Sequence, residues 1–392
     1  MKTLAVSPRT VLATSELSTP LVLRWLGIWF VSRAFVAIVI VATALMRGVD
    51  EVARRQDFAQ WLLYRFAHFD SHLYGAVADR GYVAEGPASH YNAFFPGLPA
   101  ILRLWQEVVG TDGRWGGLLM VHVAGALSAV VLGRLTVEIT GRPDAGTWAV
   151  VLLSISPLTV FFSVVYTEAL FLAASMAAWS AARHAKWAIA GVLALFACTL
   201  RLNGLFLVAG LVVIFLLGNR HDRSLTSWRR ILWLGLGPGF VLAWTIWLHN
   251  LTGQWNNWSS ALEAGWQRSL AWPWEAVDVG LHNVASATPW HLLVSRALDL
   301  GALVVAVLAT VHFVRSRDWP TATLVGLNTV TVVCSSVILS GPRYILAWFP
   351  LYVLGAGWLS QFKRPGQWAV VIASATLAAL FSVYWGAQWW IA

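Results

Sequence analysis

Long apolar runs, separated by short polar segments, make up most of this chain. A helix needs about 20 mainly apolar residues to cross the hydrocarbon core of a bilayer. The pattern therefore predicts an all-α polytopic membrane protein with about eleven transmembrane helices. The predicted spans are 21–46, 115–138, 145–163, 166–182, two short helices within 187–218 that are broken at 201–204, 231–250, 292–314, 319–339, 344–361 and 366–388.

Two long loops interrupt this series, and the basic residues predict the side on which each one lies. Clusters of Lys and Arg favour the cytoplasmic side, and they occur in the N-terminal tail and at 219–230. We therefore expect the loop 47–114 and the Trp-rich loop 251–290 to lie outside. This topology requires the segment 94–108 to form a helix at the membrane interface without crossing.

Composition narrows the class of protein. Of the 392 residues, 58% are hydrophobic and 11% are charged. A soluble domain has about a quarter charged residues, so the composition excludes a soluble enzyme and a disordered chain. The net charge of +9 does not indicate nucleic-acid binding, because the basic residues cluster between apolar runs. The first run is too long for a cleavable signal peptide, and we expect residues 1–392 to form a single membrane domain.

The first long loop carries a group of polar residues, His68, Asp70, His72 and Tyr74, among aromatic side chains. A carboxylate in an apolar setting can keep a raised pKa and act as a general base. The alternative is structural, since an Asp at the start of a helix satisfies free backbone N–H groups. His68 and His72 lack a specific metal-binding signature, so no metal site is predicted.

Three more ionisable residues lie where predicted spans begin or break. Glu168 either caps its span together with Thr167 or lines a cavity. Arg201 lies at a helix break, and Arg343 lies beside a proline at the start of a span. A cation at membrane depth normally faces a partner or a cavity, and the planar fork of Arg suits a phosphate. The alternative for both arginines is that they snorkel to the interface.

A series of short motifs runs in order from residue 69 to residue 351. The motifs are Phe69-Asp70-Ser71 with Tyr74, Gly81-Tyr82, Ala93-Phe94-Phe95-Pro96 with Pro99, Tyr166-Thr167-Glu168-Ala169-Leu170-Phe171, Leu200-Arg201-Leu202-Asn203-Gly204-Leu205, and Pro342-Arg343-Tyr344-Ile345-Leu346 with Phe349-Pro350-Leu351. This ordered set resembles the PIG-V type of mannosyltransferase, which includes GPI mannosyltransferase 2, within the GT-C class of membrane glycosyltransferases. The resemblance implies a GT-C-like fold, a mannose donor linked to polyprenyl or dolichyl phosphate, and an acidic base that corresponds to Asp70.

The resemblance and the predicted topology together imply a reaction. We expect mannose transfer to a glycolipid or glycan acceptor at the outer face of the plasma membrane, with inversion and with Asp70 as the base. No cofactor is expected. The expected donor-phosphate ligands are Arg201, Arg343 and Tyr344. The residues expected to contact the acceptor or orient Asp70 are His68, His72, Tyr74, Asn92, Glu168 and Asn203.

Two other classes of protein compete with this prediction. A transporter, or a flippase for a lipid-linked sugar, would share the spans, the broken helix and the buried arginines. Alternating access, however, needs a site near the midplane, whereas the polar residues here concentrate on one predicted face. A non-catalytic membrane scaffold would not explain the grouping of Asp70, Glu168, Arg201 and Arg343.

Overall fold

The computed structural model describes residues 18–220, 224–288, 290–338 and 340–391. The N-terminal tail, with its basic residues, lies outside these ranges. Within them the chain is helical, and its only bridge of β type joins Leu270 to Ser335. The predicted all-α polytopic membrane protein is confirmed.

A long first helix is followed by a set of shorter ones that fill the loop 47–114. A 3-10 turn at Ser89–Ala93 separates the last two of these helices. The helices are α1 (Thr19–Met46), α2 (Glu51–Gln56), α3 (Phe58–Arg65), α4 (Asp70–Arg80) and α5 (Gly97–Val109).

The last helix of this loop, α5, has the properties predicted for a helix that does not cross. Its 13 residues span roughly 20 Å, which is less than the hydrocarbon thickness of about 30 Å. One face buries Leu98 and Leu102, while Leu104 and Val108 on the other face are exposed. Such a two-sided helix suits a membrane interface.

The central part of the chain packs into a compact bundle of helices. A 3-10 turn at Thr159–Phe162 joins the second of these helices to the third. Their bounds are α6 (Gly113–Thr140), α7 (Pro143–Ser154), α8 (Glu168–Arg183), α9 (Trp187–Leu200) and α10 (Gly204–Gly218).

The C-terminal part alternates long helices with short ones. A 3-10 segment at Arg229–Gly235 leads into α12. The helices are α11 (Leu225–Trp228), α12 (Leu236–Thr252), α13 (Asn257–Trp266), α14 (Pro273–Ala285), α15 (Trp290–Arg315), α16 (Trp319–Val333), α17 (Gly341–Leu346), α18 (Phe349–Leu359) and α19 (Arg364–Gly386).

Five helices of the described ranges are long and apolar enough to cross a membrane by themselves. Several predicted spans are instead shorter helices with breaks, so the total of about eleven spans stays a prediction. The five long helices are Thr19–Met46, Gly113–Thr140, Leu225–Thr252 (α11, the 3-10 segment and α12 taken together), Leu292–Arg315 within α15, and Arg364–Gly386.

Prolines and glycines explain where the predicted spans break. The span predicted at 344–361 is divided into α17 and α18, and Pro350 lies in the first turn of α18, where a missing N–H is tolerated. The predicted break at 201–204 is confirmed, since α9 ends at Leu200 and α10 begins at Gly204. A side chain at Gly204 would lie 2.6 Å from the backbone nitrogen of Cys198, so only glycine allows this close turn.

A buried arginine in α1 stabilises the connection between α7 and α8. Arg33 is 3% exposed, and it donates to the backbone carbonyls of Ser154 at 2.9 Å and Thr159 at 2.6 Å. It also donates to the hydroxyl of Ser163 at 3.0 Å. Ser154 is the last residue of α7 and Thr159 is the first residue of the 3-10 turn, so Arg33 fixes the connection between α7 and α8.

Candidate active site

A cavity of about 370 Å³ lies where α4, α13 and α17 approach the break between α9 and α10. Its walls are mainly aromatic and aliphatic, with a group of charged and polar side chains at one side. This arrangement is typical of sites that bind small molecules. Among the residues predicted to form the site, the cavity is lined by Asp70, Tyr74, Arg201, Asn203, Arg343 and Tyr344.

Two carboxylates and two guanidinium groups form an ionic cluster, which consists of Asp70, Glu168, Arg201 and Arg343. Arg343 bridges the two acids, because its Nη1 lies 2.6 Å from Asp70 Oδ2 and its Nε lies 2.6 Å from Glu168 Oε1. Arg201 Nη1 also lies 2.6 Å from Glu168 Oε1. The formal charges of the cluster therefore cancel, as buried ion pairs require.

The start of α4 places Asp70 in the cavity wall. The backbone N–H of Asp70 donates to the Tyr166 hydroxyl at 3.1 Å, and the Ser71 hydroxyl donates to the Val165 carbonyl at 2.9 Å. These bonds fasten the first turn of α4 to the segment that leads into α8. Asp70 and Glu168 are therefore brought together by two short segments that are distant in sequence.

The contacts of the Asp70 carboxylate bear on its two interpretations. Asp70 is the first residue of α4, and the N-cap position is occupied by Phe69; the Asp70 carboxylate accepts from Arg343. The charged partner of Asp70 is thus a cation, within a cavity whose walls are mainly aromatic and aliphatic. Glu168 makes no contact typical of a cap: it is fully buried, and its Oε1 accepts from both arginines.

Two backbone positions of unusual geometry precede the functional residues. Phe69, before Asp70, has a φ of 53° and a ψ of −120°, and Ser340, before α17, has a φ of 63°. A side chain at positive φ is disfavoured by sterics, and such positions are frequent at functional sites. Phe69 is held by ring contacts with Trp385 and Trp390, at centroid distances of 5.4 and 4.9 Å.

Four predicted site residues lie outside the cavity wall, namely His68, His72, Asn92 and Glu168. His68 packs against Trp385 and His72 packs against Tyr64. Burial lowers the pKa of His68 to about 3, so its ring is neutral at physiological pH. Asn92 is buried and donates to the Val83 carbonyl at 2.9 Å, which stabilises the loop between α4 and α5.

The fourth of these residues, Glu168, lies behind the cavity wall, where it contacts the two arginines that line the cavity. Within the cavity wall, Asn203 donates to Asn328 Oδ1 at 2.5 Å. Burial raises the pKa of Tyr74, so this phenol stays protonated. Tyr74 can thus donate a hydrogen bond from the cavity wall.

Sequence reasoning missed one cation, Arg268, in the loop between α13 and α14. Arg268 lines the cavity, donates to the Tyr344 hydroxyl, and stacks over the Tyr344 ring at 4.8 Å. The only sequence signal was its position within the Trp-rich loop 251–290. A loop residue that pairs with α17 becomes visible only when the chain is folded.

Comparison with known proteins gives a partial match. No protein-family model matches the chain. The chain is 31% identical over 165 residues to the GPI alpha-1,6-mannosyltransferase 2 of Cricetulus griseus, and the match covers 40% of this chain and 33% of that protein. It is 30% identical over 165 residues to the Homo sapiens protein of the same name, with the same coverage.

The match spans about a third of the length of these curated relatives. The Mus musculus protein of that name is 31% identical over 158 residues, which is 38% of this chain. The resemblance to the PIG-V type of mannosyltransferase that the ordered motifs predict is therefore confirmed over about two fifths of the chain.

Proposed function

We propose that this protein transfers mannose from a polyprenyl-phosphate-linked donor to a membrane glycolipid or glycan acceptor. The observation that carries the proposal is the ionic cluster at the cavity, which presents the Asp70 carboxylate in the cavity wall beside Arg343 at 2.6 Å. The relatives named above are mannosyltransferases by name, which supports the sugar and the class of acceptor. The match covers 40% of the chain, and we propose the same kind of activity for the chain as a whole.

The reaction needs one base and a stabilised leaving group. The acceptor hydroxyl oxygen attacks the anomeric carbon, a new C–O bond forms there, and the bond from that carbon to the phosphate oxygen breaks. The bonding electron pair leaves with the phosphate, giving polyprenyl phosphate. Asp70 takes the proton of the acceptor hydroxyl, and a single displacement of this kind inverts the anomeric centre.

The contacts of Asp70 suit it to this role. Its Oδ2 is held by Arg343, so the carboxylate has a fixed orientation, while the residue also lines the cavity. Tyr74 and Asn203 line the same cavity and can donate to sugar hydroxyls. Positioning of this kind contributes to catalysis because the reacting groups need not be ordered at the moment of reaction.

The apolar wall of the cavity suits the lipid part of the donor. Leu202, Phe206, Leu262 and Trp266 line it, and Leu270 at its edge is 92% exposed. An exposed leucine next to an apolar cavity is favourable where a prenyl chain or the bilayer covers it. We place the polyprenyl chain along this wall.

Purified protein in detergent, or reconstituted in vesicles, should form mannosylated lipid when it is supplied with polyprenyl-phosphate-mannose and a panel of membrane glycolipids. Product is measured by chromatography and mass spectrometry. Release of polyprenyl phosphate should match the sugar transferred. A protein that moves the donor across the vesicle membrane without forming the new glycosidic bond would be a flippase, and the proposal would fail.

We further propose that the cavity faces the extracytoplasmic side of the plasma membrane. The support is the distribution of basic clusters, since the loops 47–114 and 251–290 contribute Asp70 and Arg268 to the cavity. In a variant without Cys198 and Cys334, an impermeant maleimide added to intact cells should label Glu85→Cys and Gln254→Cys and spare Thr226→Cys. All three positions are exposed.

Lysed cells provide the control for this labelling, because all three cysteines should react once the membrane is open. Labelling of Thr226→Cys in intact cells, with protection of the other two, would reverse the topology. The cavity would then face the cytoplasm, and a donor presented at the outer leaflet could not reach it.

A further inference from the structure

We infer that Arg268, rather than Arg201 or Arg343, is the cation that binds the phosphate of the lipid-linked substrate. The inference rests on the proposed function, since it names a phosphate ligand of that site. It differs from the expectation that Arg201 and Arg343 hold the phosphate. The cavity contacts three arginines, and their partners differ.

The balance of charge around the cavity distinguishes Arg268 from Arg201 and Arg343. Arg201 and Arg343 both pair with Glu168, and Arg343 also pairs with Asp70, so two positive charges meet two negative ones. Within the described ranges, no carboxylate lies within ion-pair distance of Arg268. The wall of the cavity therefore carries one excess positive charge, which matches the single negative charge of a phosphodiester.

The hydrogen bonds of Arg268 leave donors for a ligand. Its Nε donates to the Ser335 hydroxyl at 2.9 Å, its Nη1 donates to the Tyr344 hydroxyl, and its Nη2 donates to the Thr331 carbonyl at 3.3 Å. A guanidinium group has five N–H donors in a planar fork. In the part of the chain that the structure describes, two of these five donors have no partner, which is the number that a bidentate phosphate contact uses.

Backbone pairing fixes the position of Arg268. The loop 267–271 pairs in antiparallel fashion with 334–336, where Ser336 N–H donates to the Ser269 carbonyl at 2.9 Å and Ala271 N–H donates to the Cys334 carbonyl at 3.1 Å. Leu270 and Ser335 form the bridge between them. A binding arginine held in this way loses little conformational entropy when a ligand arrives.

Tyr344 connects Arg268, the proposed phosphate ligand, to the ionic cluster. The Tyr344 ring contacts two cations, with the guanidinium carbon of Arg268 at 4.8 Å and that of Arg201 at 5.5 Å from its centroid. Tyr344 is the residue after Arg343, which contacts Asp70. A phosphate bound at Arg268 would thus lie in the same cavity as the proposed base.

The test measures binding of farnesyl phosphate to the full-length protein in detergent, followed by tryptophan fluorescence. Trp258, Trp266 and Trp390 line the cavity and report on its occupancy. Arg268→Gln should weaken the binding of farnesyl phosphate by roughly 10- to 100-fold, the loss expected for a charge-assisted hydrogen bond. Arg268→Lys should recover only part of it, because an ammonium group lacks the planar fork.

Farnesol and inorganic phosphate serve as comparison probes. Farnesol should bind Arg268→Gln as it binds the wild type, which shows that the cavity is intact. If inorganic phosphate competes with farnesyl phosphate in the wild type but not in Arg268→Gln, the phosphate group alone is the ligand. If inorganic phosphate does not compete at millimolar concentrations, the prenyl chain is also required. Both results support the inference. The exposed Arg103, paired with Glu107 at 2.8 Å, provides the matched control Arg103→Gln, which should bind normally.

Unchanged binding of farnesyl phosphate by Arg268→Gln would overturn the assignment. Weakened binding of farnesol by the same variant, to the same degree, would also overturn it, because the loss would then concern the shape of the cavity rather than the phosphate. The measurement does not depend on glycosyl transfer. Loss of phosphate binding in a protein that proves inactive as a transferase would therefore leave this inference standing while the proposed function failed.

Discussion

Replacing Asp70 by Asn should abolish most of the proposed sugar transfer, with a fall in rate of at least about 100-fold, as is typical when an acid–base group is removed. The Asn side chain has nearly the same size and can still accept a hydrogen bond from Arg343, but it cannot take the proton of the acceptor. The measurement is the initial rate with polyprenyl-phosphate-mannose at saturating acceptor. Donor binding should change much less than the rate.

A control on the same helix separates this effect from general damage to α4. Asp79 is exposed to solvent and accepts from Gln106 at 2.7 Å, outside the cavity wall. Asp79→Asn should therefore keep nearly full activity. An Asp70→Asn variant of similar activity would remove Asp70 from the mechanism, and the search for a base would move to Glu168.

Replacing Arg343 should have the largest effect on stability. Arg343 is 8% exposed and holds two carboxylates, so Arg343→Met would leave Asp70 unpaired and Glu168 with Arg201 alone. Removing one partner of a buried ion pair destabilises a protein by about 3–5 kcal/mol. Thermal unfolding in detergent, followed by circular dichroism, should show a markedly lower midpoint for Arg343→Met.

Lysine at the same position tests the geometry rather than the charge. Arg343→Lys keeps the cation, but an ammonium group cannot reproduce the two contacts that Nε and Nη1 make with different acids. We expect it to restore most of the stability and little of the activity. The half-buried pair of Arg183 with Glu138 at 2.9 Å provides the comparison Arg183→Lys, which should leave activity unchanged. Full activity in Arg343→Lys would show that charge alone suffices.

Much of the helical architecture could be predicted from the sequence because it follows from local physics. The long apolar runs that became α1, α6 and α19 reflect the number of residues that cross a bilayer. The break before Gly204 was predicted because a polar segment interrupts an apolar run. The division between α17 and α18 was missed, since an apolar run with an internal proline can be a kinked helix or two separate helices.

The candidate site was predicted in part. Asp70, Arg201 and Arg343 were identified because a charge in an apolar setting is costly and must have a reason. Their pairing was not predicted, because ion pairs between distant segments depend on how the helices pack. His68 and His72 were grouped with Asp70 by their nearness in sequence, but in the folded chain they pack against Trp385 and Tyr64 instead.

By itself, the sequence determined that this is a helical membrane protein and which charged residues need partners, because length, hydropathy and the cost of burying charge are local properties. Only the tertiary structure decided which cation meets which acid. It paired Arg343 and Arg201 with the carboxylates, and it held Arg268 at the cavity through a backbone bridge to 334–336. The physical reason is that electrostatic partners are set by distances of a few ångströms between segments that lie far apart along the chain.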